Sequence, residues 1–457
     1  MFKLLKFIAQ KIGMDKAIAY SSGARIIQAL AGALSVLFIA AFLSKEEQGF
    51  YYTFGSLLAV QIFFELGLTG IITQFVAHEA AHLIIKDNGM IVGENKYRSR
   101  LASLVHFSVK WYAVIAILFL IIVVVIGFVF FNEYDKSNNT ISWRLPWILI
   151  CIGSAIKLFQ SPFTSILIGL GKVKEMNKIS FYQQLILPII TWIGLICGFK
   201  LYVIGISSIL AALIWNIYVA TTNQQRILLF LWKEKITLRI NYLIEIFPYQ
   251  WRIALSWISG YFIFQLFNPV LFATEGAVVA GQMGMTISVL NGIQALSMSW
   301  INTKVPLFSK LIALKDFLKL DEVFKRTLRQ MITVCLFLLV VMIGGIGIIR
   351  YFDISLNGES FGNRFLNYIP MSLMMIALFV NQFVNSWATY LRCHKKEPYL
   401  LISIVSAILC SLSTIFLGKY YGINGITSGY CLIMIALMPW SYYIYMSCKN
   451  KWHIDIA

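Results

Sequence analysis

Four ionisable residues stand inside long apolar runs: Arg25 in GARIIQALAGALSVLFIAAFL (23–43), Glu65 in FFELGL, Lys157 in ICIGSAIKLFQSPF and Arg252 in WRIALSW. An arginine fork matches phosphate oxygens in a bidentate way, and a lysine supplies a point charge for an anion. A glutamate among them can act as counter-charge or proton carrier. The chemistry on offer is the holding and moving of an anion. Asn381 and Asn385, and likewise Asn291 and Gln294, are spaced to share a helix face and add neutral hydrogen-bonding groups. Hydrogen bonds between helices explain these amides equally well.

These residues need elements to hold them, and composition says which. Hydrophobic residues make up 59% of the 457, and charged residues only 13%. Ordinary soluble domains have about 45–50% and about 25%. WYAVIAILFLIIVVVIGFVFF (111–131) carries no charge and has the length of a bilayer span, about 20 residues. The chain reads as an all-α polytopic membrane protein with about twelve transmembrane helices. The expected spans are 21–43, 50–74, 106–131, 146–169, 179–199, 202–222, 248–272, 278–303, 327–350, 365–390, 398–417 and 423–446. Residues 1–20 read as an amphipathic cytoplasmic segment on the membrane surface and not as a signal peptide. A bundle of six helices then spans 21–222, a cytoplasmic linker 223–247, a second six-helix bundle 248–446 and a cytoplasmic tail 447–457.

The net charge of +18 would suggest nucleic acid in a soluble chain. With both termini in the cytoplasm, about 27 Lys and Arg face inward and about 7 outward, the positive-inside pattern. The basic loops therefore face anionic lipid headgroups, and no nucleic acid is needed. The outward loops around NEYDKSNNT and YFDISLNGESFGNR are too short to house the catalytic groups of an outer-face enzyme. GLGK (169–172) lacks the upstream glycine and the Ser/Thr of a phosphate-binding loop, so ATP is not the direct energy source. No HExxH or clustered CxxC is present, and the seven cysteines read as apolar packing residues. No metal site, cofactor or catalytic residue is expected.

An internal repeat organises the charges. The same spacing separates Arg25 from Gly49 and Arg252 from Gly276, and both glycines follow an acidic turn, SKEEQG and ATEG. KYRSRLASLVHF matches VFKRTLRQMITV at that offset, and Pro146 and Pro370 each open a fourth span. Parallel repeats commonly flank a substrate site. Arg25 and Arg252 lie one or two turns from the cytoplasmic ends, where snorkelling to the headgroups is an alternative. Lys157 lies roughly 16 Å into its span and cannot snorkel. Glu65 is similarly deep, and a purely structural Glu65–Lys157 pair is the other option for both. Four charges at depth would cost on the order of 10 kcal/mol. A water-filled, net cationic chamber between the halves removes most of that cost and is the preferred reading. Pro162 and Pro188 would bend spans four and five.

The layout resembles the polysaccharide-exporter branch of the multidrug/oligosaccharidyl-lipid/polysaccharide (MOP) superfamily, the O-antigen-type flippases. The resemblance rests on the basic N-terminus, on Arg25, on the turn containing Glu46, Glu47, Gly49 and Phe50, and on Glu65–Leu68 in span two, echoed by ATEGAVVAGQMG. It implies two six-helix bundles in a V-shaped, MATE-like arrangement that works by alternating access. The implied substrate is a polyprenyl-diphosphate-linked glycan, turned from the cytoplasmic to the outer leaflet of the bacterial inner membrane for O-antigen, capsule or exopolysaccharide synthesis. Arg25 and Arg252 would catch the diphosphate, Lys157 would hold it midway, and Glu65 would hold Lys157 in the empty site or take part in coupling to H⁺ or Na⁺. Membrane lipids are further partners, with the pathway's glycan polymerase and glycosyltransferases expected nearby.

Four other readings compete. A cation-coupled multidrug exporter of the same superfamily needs intramembrane acids, whereas here cations outnumber them. A lipid-linked peptidoglycan-precursor flippase would carry about two more spans than the count here. A membrane glycan polymerase or ligase would need a large outward loop. A non-transporting scaffold would leave the intramembrane charges without a purpose.

Overall fold

The structure, a computed structural model, describes residues 31–454 apart from 33, 87–88, 136–140 and 395. The expected surface segment 1–20 and Arg25 lie outside the described residues. The chain is a polytopic all-α protein. In order, its helices cover 34–42, Lys45–Leu58, Ile62–Glu65, Leu68–Ala80, Asn95–Tyr134, Arg144–Gly169, Val173–Ile196, Tyr202–Thr221 and Asn223–Lys233. They continue with Phe247–Phe264, Phe267–Thr274, Ala277–Ala313, Phe317–Tyr351, Tyr368–Arg392 and Leu400–Ile454. Two short antiparallel hairpins, Leu83–Ile85 with Ile91–Gly93 and Ser355–Leu356 with Glu359–Ser360, interrupt the helical pattern in loops.

Every expected span from residue 50 onward falls on helix. Among the described residues, eight helices are long and apolar enough to cross a membrane, or nine if the bent pair Lys45–Glu65 and Leu68–Ala80 counts as one span. Physical reasons explain why that number is smaller than the number of expected spans. Leu400–Ile454 contains a break at Gly422 (φ 54°, ψ −138°) and is two helices end to end. The Glu275 carboxylate accepts a hydrogen bond from Ile423 N and so caps the second of them. Ala277–Ala313 carries Gln282, Asn291, Gln294, Asn302 and Lys304, which lower its mean hydropathy.

The chain forms two compact units. One contains Leu58–Glu133 and Ser142–Trp257; the other contains Gly32–Leu57, Tyr134–Ile141 and Ile258–Ala457. Residues 32–57 thus pack with the second half of the chain, although chain order puts them with the first. The reason lies in LSKEEQGF. Ser44 and Glu47 form a capping box: Ser44 N donates to Glu47 Oε2 (2.9 Å) and Glu47 N donates to Ser44 Oγ (3.1 Å). Gly49 then brings this helix against Ala277, Gln48 Nε2 donates to Gly281 O (2.8 Å), and Phe50 meets Phe272 edge-on at 4.9 Å. The acidic-glycine-aromatic turn is a helix start and a packing surface.

In the first unit, the stretch after Lys233 is tied down. Ser99 Oγ accepts from Thr237 N and Leu238 N, both at 2.7 Å. Arg98 pairs with Glu234 (2.7 Å), and Arg100 bridges the buried Glu79 (2.9 Å) and Glu245 (2.6 Å). The basic segment KYRSR therefore serves as an internal clamp. Burial works against the charge of Glu245, but the Asn241 N–H and Arg100 outweigh it and hold the carboxyl below its ordinary pKa.

Candidate functional site

The helix Arg144–Gly169 places Lys157, Gln160, Ser161, Thr164 and Ser165 at steps of three and four residues, which puts them on one face. This face lines a cavity of about 380 Å³ inside the first unit. Val173–Ile196 contributes Gln183, Gln184 and Leu187, Tyr202–Thr221 contributes Ala211 and Trp215, and Leu68–Ala80 contributes Thr69. Among the described residues, Lys157 is the one charged group in the lining. It is exposed, and its ammonium has no ion pair or hydrogen bond among the described residues.

The break that positions Thr69 is written in FFELGL. Leu66 (φ 48°) and Gly67 (φ 69°) both lie in the left-handed region, and the helical segments on either side diverge by 42°. Only glycine fits at 67, because a Cβ there would stand 2.4 Å from Ile253 Cγ2. Glu65 ends the first segment, with the Thr69 and Gln61 side chains beside its carboxylate. It is thereby joined to the cavity wall through Thr69. Phe64 packs edge-on against Phe119 at 5.3 Å and fixes the approach.

The hydrogen bonds of the wall have a definite direction. The hydroxyls of Ser161, Thr164 and Ser165 donate to the carbonyls of Lys157 (3.2 Å), Gln160 (3.4 Å) and Ser161 (3.0 Å). Gln160 Nε2 donates to Ala212 O and Asn216 Oδ1, both at 2.9 Å, and Gln183 Nε2 donates to Ala211 O at 2.8 Å. These donors are spent on the protein itself, so the groups offer mainly lone pairs to a ligand.

The expected site residues fare differently. Lys157 lines the cavity, and Glu65 reaches it at one remove. No ion pair joins the two among the described residues, so the paired alternative does not hold in this structure. Arg252 lies on Phe247–Phe264, but its side chain, like the whole of Arg25, is outside the described residues. Asn381 and Asn385 belong to the second unit, not to the unit that holds the cavity. Asn381 donates to Tyr430 OH at 2.9 Å, which is the interhelical role. The residues that sequence reasoning missed are Thr69, Gln160, Ser161, Thr164, Ser165, Gln183, Gln184 and Trp215. The recurrence of polar side chains at three- and four-residue steps after Lys157 was the available signal.

The backbone superposes on known transporters. It matches a MATE-family multidrug resistance transporter of the MOP superfamily in an inward-facing conformation, with a TM-score of 0.60 and 13% identity over 92% of this chain and 99% of that one. The chain shares its fold with this transporter. It is also similar to the lipid II flippase MurJ in an inward closed conformation, with a TM-score of 0.56 and 12% identity over 95% of this chain and 90% of MurJ. An aspartate-to-asparagine mutant of the Vibrio cholerae MATE transporter VcmN gives a TM-score of 0.53 and 14% identity over 96% of this chain and 99% of that one. No protein-family model and no curated protein sequence matches the chain. Multidrug transporters and a lipid II flippase thus share one fold with this chain.

Proposed function

We propose that the protein is a flippase that carries a polyprenyl-diphosphate-linked oligosaccharide from the cytoplasmic to the outer leaflet of the bacterial inner membrane, with both termini in the cytoplasm. The observation that carries this reading is the polar cavity in which Lys157 is the one charged group among the described lining residues. A lysine deep in a span, with no partner among the described residues, is tolerated where it meets water or an anion. A lining with a cation and no carboxylate among its described residues suits an anionic headgroup better than a cationic drug. Arg25 and Arg252 would bind the diphosphate nearer the cytoplasmic surface, as bidentate forks do. The product would feed a glycan polymerase or ligase on the outer side, and glycosyltransferases would supply the substrate on the inner side.

The experiment is translocation of a radiolabelled polyprenyl-diphosphate oligosaccharide in everted vesicles. Wild type, Lys157→Ala, Arg25→Ala and Arg252→Ala would be compared at matched protein levels. With an acidic glycan on the carrier, we expect Lys157→Ala to lose most of the activity and each arginine variant to lose it in part. Full activity in all three variants would remove the cationic path.

One observation favours a second reading. Glu65, joined to Thr69 of the cavity wall, could carry a proton or bind Na⁺ in a coupled multidrug exporter. Efflux of a cationic dye that is lost in Glu65→Gln and kept in Lys157→Ala would favour the exporter.

A further inference from the structure

The cavity's hydrogen-bonding direction says which part of an anionic, glycan-bearing headgroup fits it. A diphosphate carries acceptor oxygens and needs donors. The wall provides the reverse: Ser161, Thr164 and Ser165 have given their hydroxyl protons to helix carbonyls, and Gln160 has given both amide protons to Ala212 and Asn216. Lone pairs facing phosphate oxygens repel them, whereas lone pairs facing sugar hydroxyls accept their protons. Lys157 supplies a single positive charge in the same lining, and Trp215 supplies an aromatic surface. The Trp215 indole N–H, buried and without a partner among the described residues, adds one donor beside Lys157. A ligand with several hydroxyls and a single carboxylate meets this mostly accepting wall and its few donors.

We infer that this cavity binds an acidic sugar residue of the transported glycan, with the sugar carboxylate on Lys157 and its hydroxyls on Gln160, Ser161, Thr164 and Ser165. This inference rests on the flippase reading for its physiological setting, but it makes a claim about binding that stands by itself. Lys157 becomes a specificity residue for the sugar and not a holder of the diphosphate.

Two measurements on the full-length protein test it. The first is thermal stabilisation of the purified protein in detergent by an oligosaccharide of a hexuronic acid, by its carboxyl-reduced neutral counterpart, or by inorganic pyrophosphate. A ligand that binds the folded state raises the midpoint in proportion to its affinity. We expect the acidic oligosaccharide to stabilise wild type, the neutral one to do so about ten-fold more weakly in concentration, and Lys157→Ala to abolish the difference. Lys157→Arg, which keeps the charge, should retain much of it. Stabilisation by pyrophosphate that depends on Lys157, or equal responses to both oligosaccharides, would overturn the proposal.

The second measurement compares translocation of two polyprenyl-diphosphate glycans that differ only in that carboxylate. The proposal expects Lys157→Ala to slow the acidic substrate and spare the neutral one. Equal loss on both would assign Lys157 to the shared diphosphate and reject the sugar site while leaving the flippase reading intact. Absence of translocation in wild type, with Lys157-dependent binding of the acidic sugar, would reject the flippase reading and keep the site.

Discussion

The backbone of Gly49 lies against the carbonyl of Ala277 so closely that a Cβ at position 49 would stand 1.9 Å from that oxygen. The obstacle is backbone, which cannot swing aside as a side chain can. We therefore expect Gly49→Ala to destabilise the protein by about 3 kcal/mol, at the upper end of the overpacking range. Gly55, on the same helix, has nothing within 4 Å of its would-be Cβ. There Ala should be neutral or stabilising by up to about 1 kcal/mol through helix propensity. Thermal unfolding of the two variants in one detergent measures the contrast directly, and equal midpoints would show that the two helices can separate freely.

Position 66 offers the opposite experiment. Leu66 holds a left-handed conformation at φ 48°, which costs a branched L-residue roughly 1–2 kcal/mol. Leu66→Gly should relieve that strain and offset part of what the lost side chain contributes. Gly67→Ala, with φ 69° and Ile253 in the way, should destabilise by about 2 kcal/mol or more. Because the break sets Thr69 at the cavity wall, Gly67→Ala should also lower acidic-sugar binding. Unchanged binding in a folded Gly67→Ala protein would mean that the break is not needed to shape the cavity.

The Arg100 clamp sets a pH dependence whose sign is fixed. The Glu245 pKa is depressed in the folded protein, so its contribution is present above the unfolded value, about 4.3 for Glu, and fades as pH falls through the lower folded value. Wild type should therefore lose more stability than Glu245→Gln when the pH is lowered from about 6 toward about 4. The variant that removes the cation is harsher. Arg100→Met leaves Glu79, with 4% of its side chain exposed, without its ion partner and should cost about 3 kcal/mol near neutral pH. Unfolding midpoints against pH for the three proteins check both statements.

Membrane class, the positions of the helices and the charge asymmetry could be read from the sequence alone. A span is a local property: roughly 20 apolar residues satisfy the bilayer whatever lies beside them. The depth of Lys157 followed from the same local geometry. What Lys157 faces did not, because its cavity is assembled from four separate helices, and only their packing brings Gln183, Trp215 and Thr69 beside it. The acidic turns could be seen as motifs, but their work as a capping box at Ser44–Glu47 and as the cap of Ile423 by Glu275 appeared only once partners 3 to 148 residues away were in place. The hydroxyls of Ser161, Thr164 and Ser165 bond carbonyls four residues back in their own helix, a local matter, whereas the Gln160 and Gln183 amides find Ala212, Asn216 and Ala211 on a neighbouring helix, which only packing decides. The residue type says that serine can give or accept a proton, and the neighbouring carbonyl decides which it does.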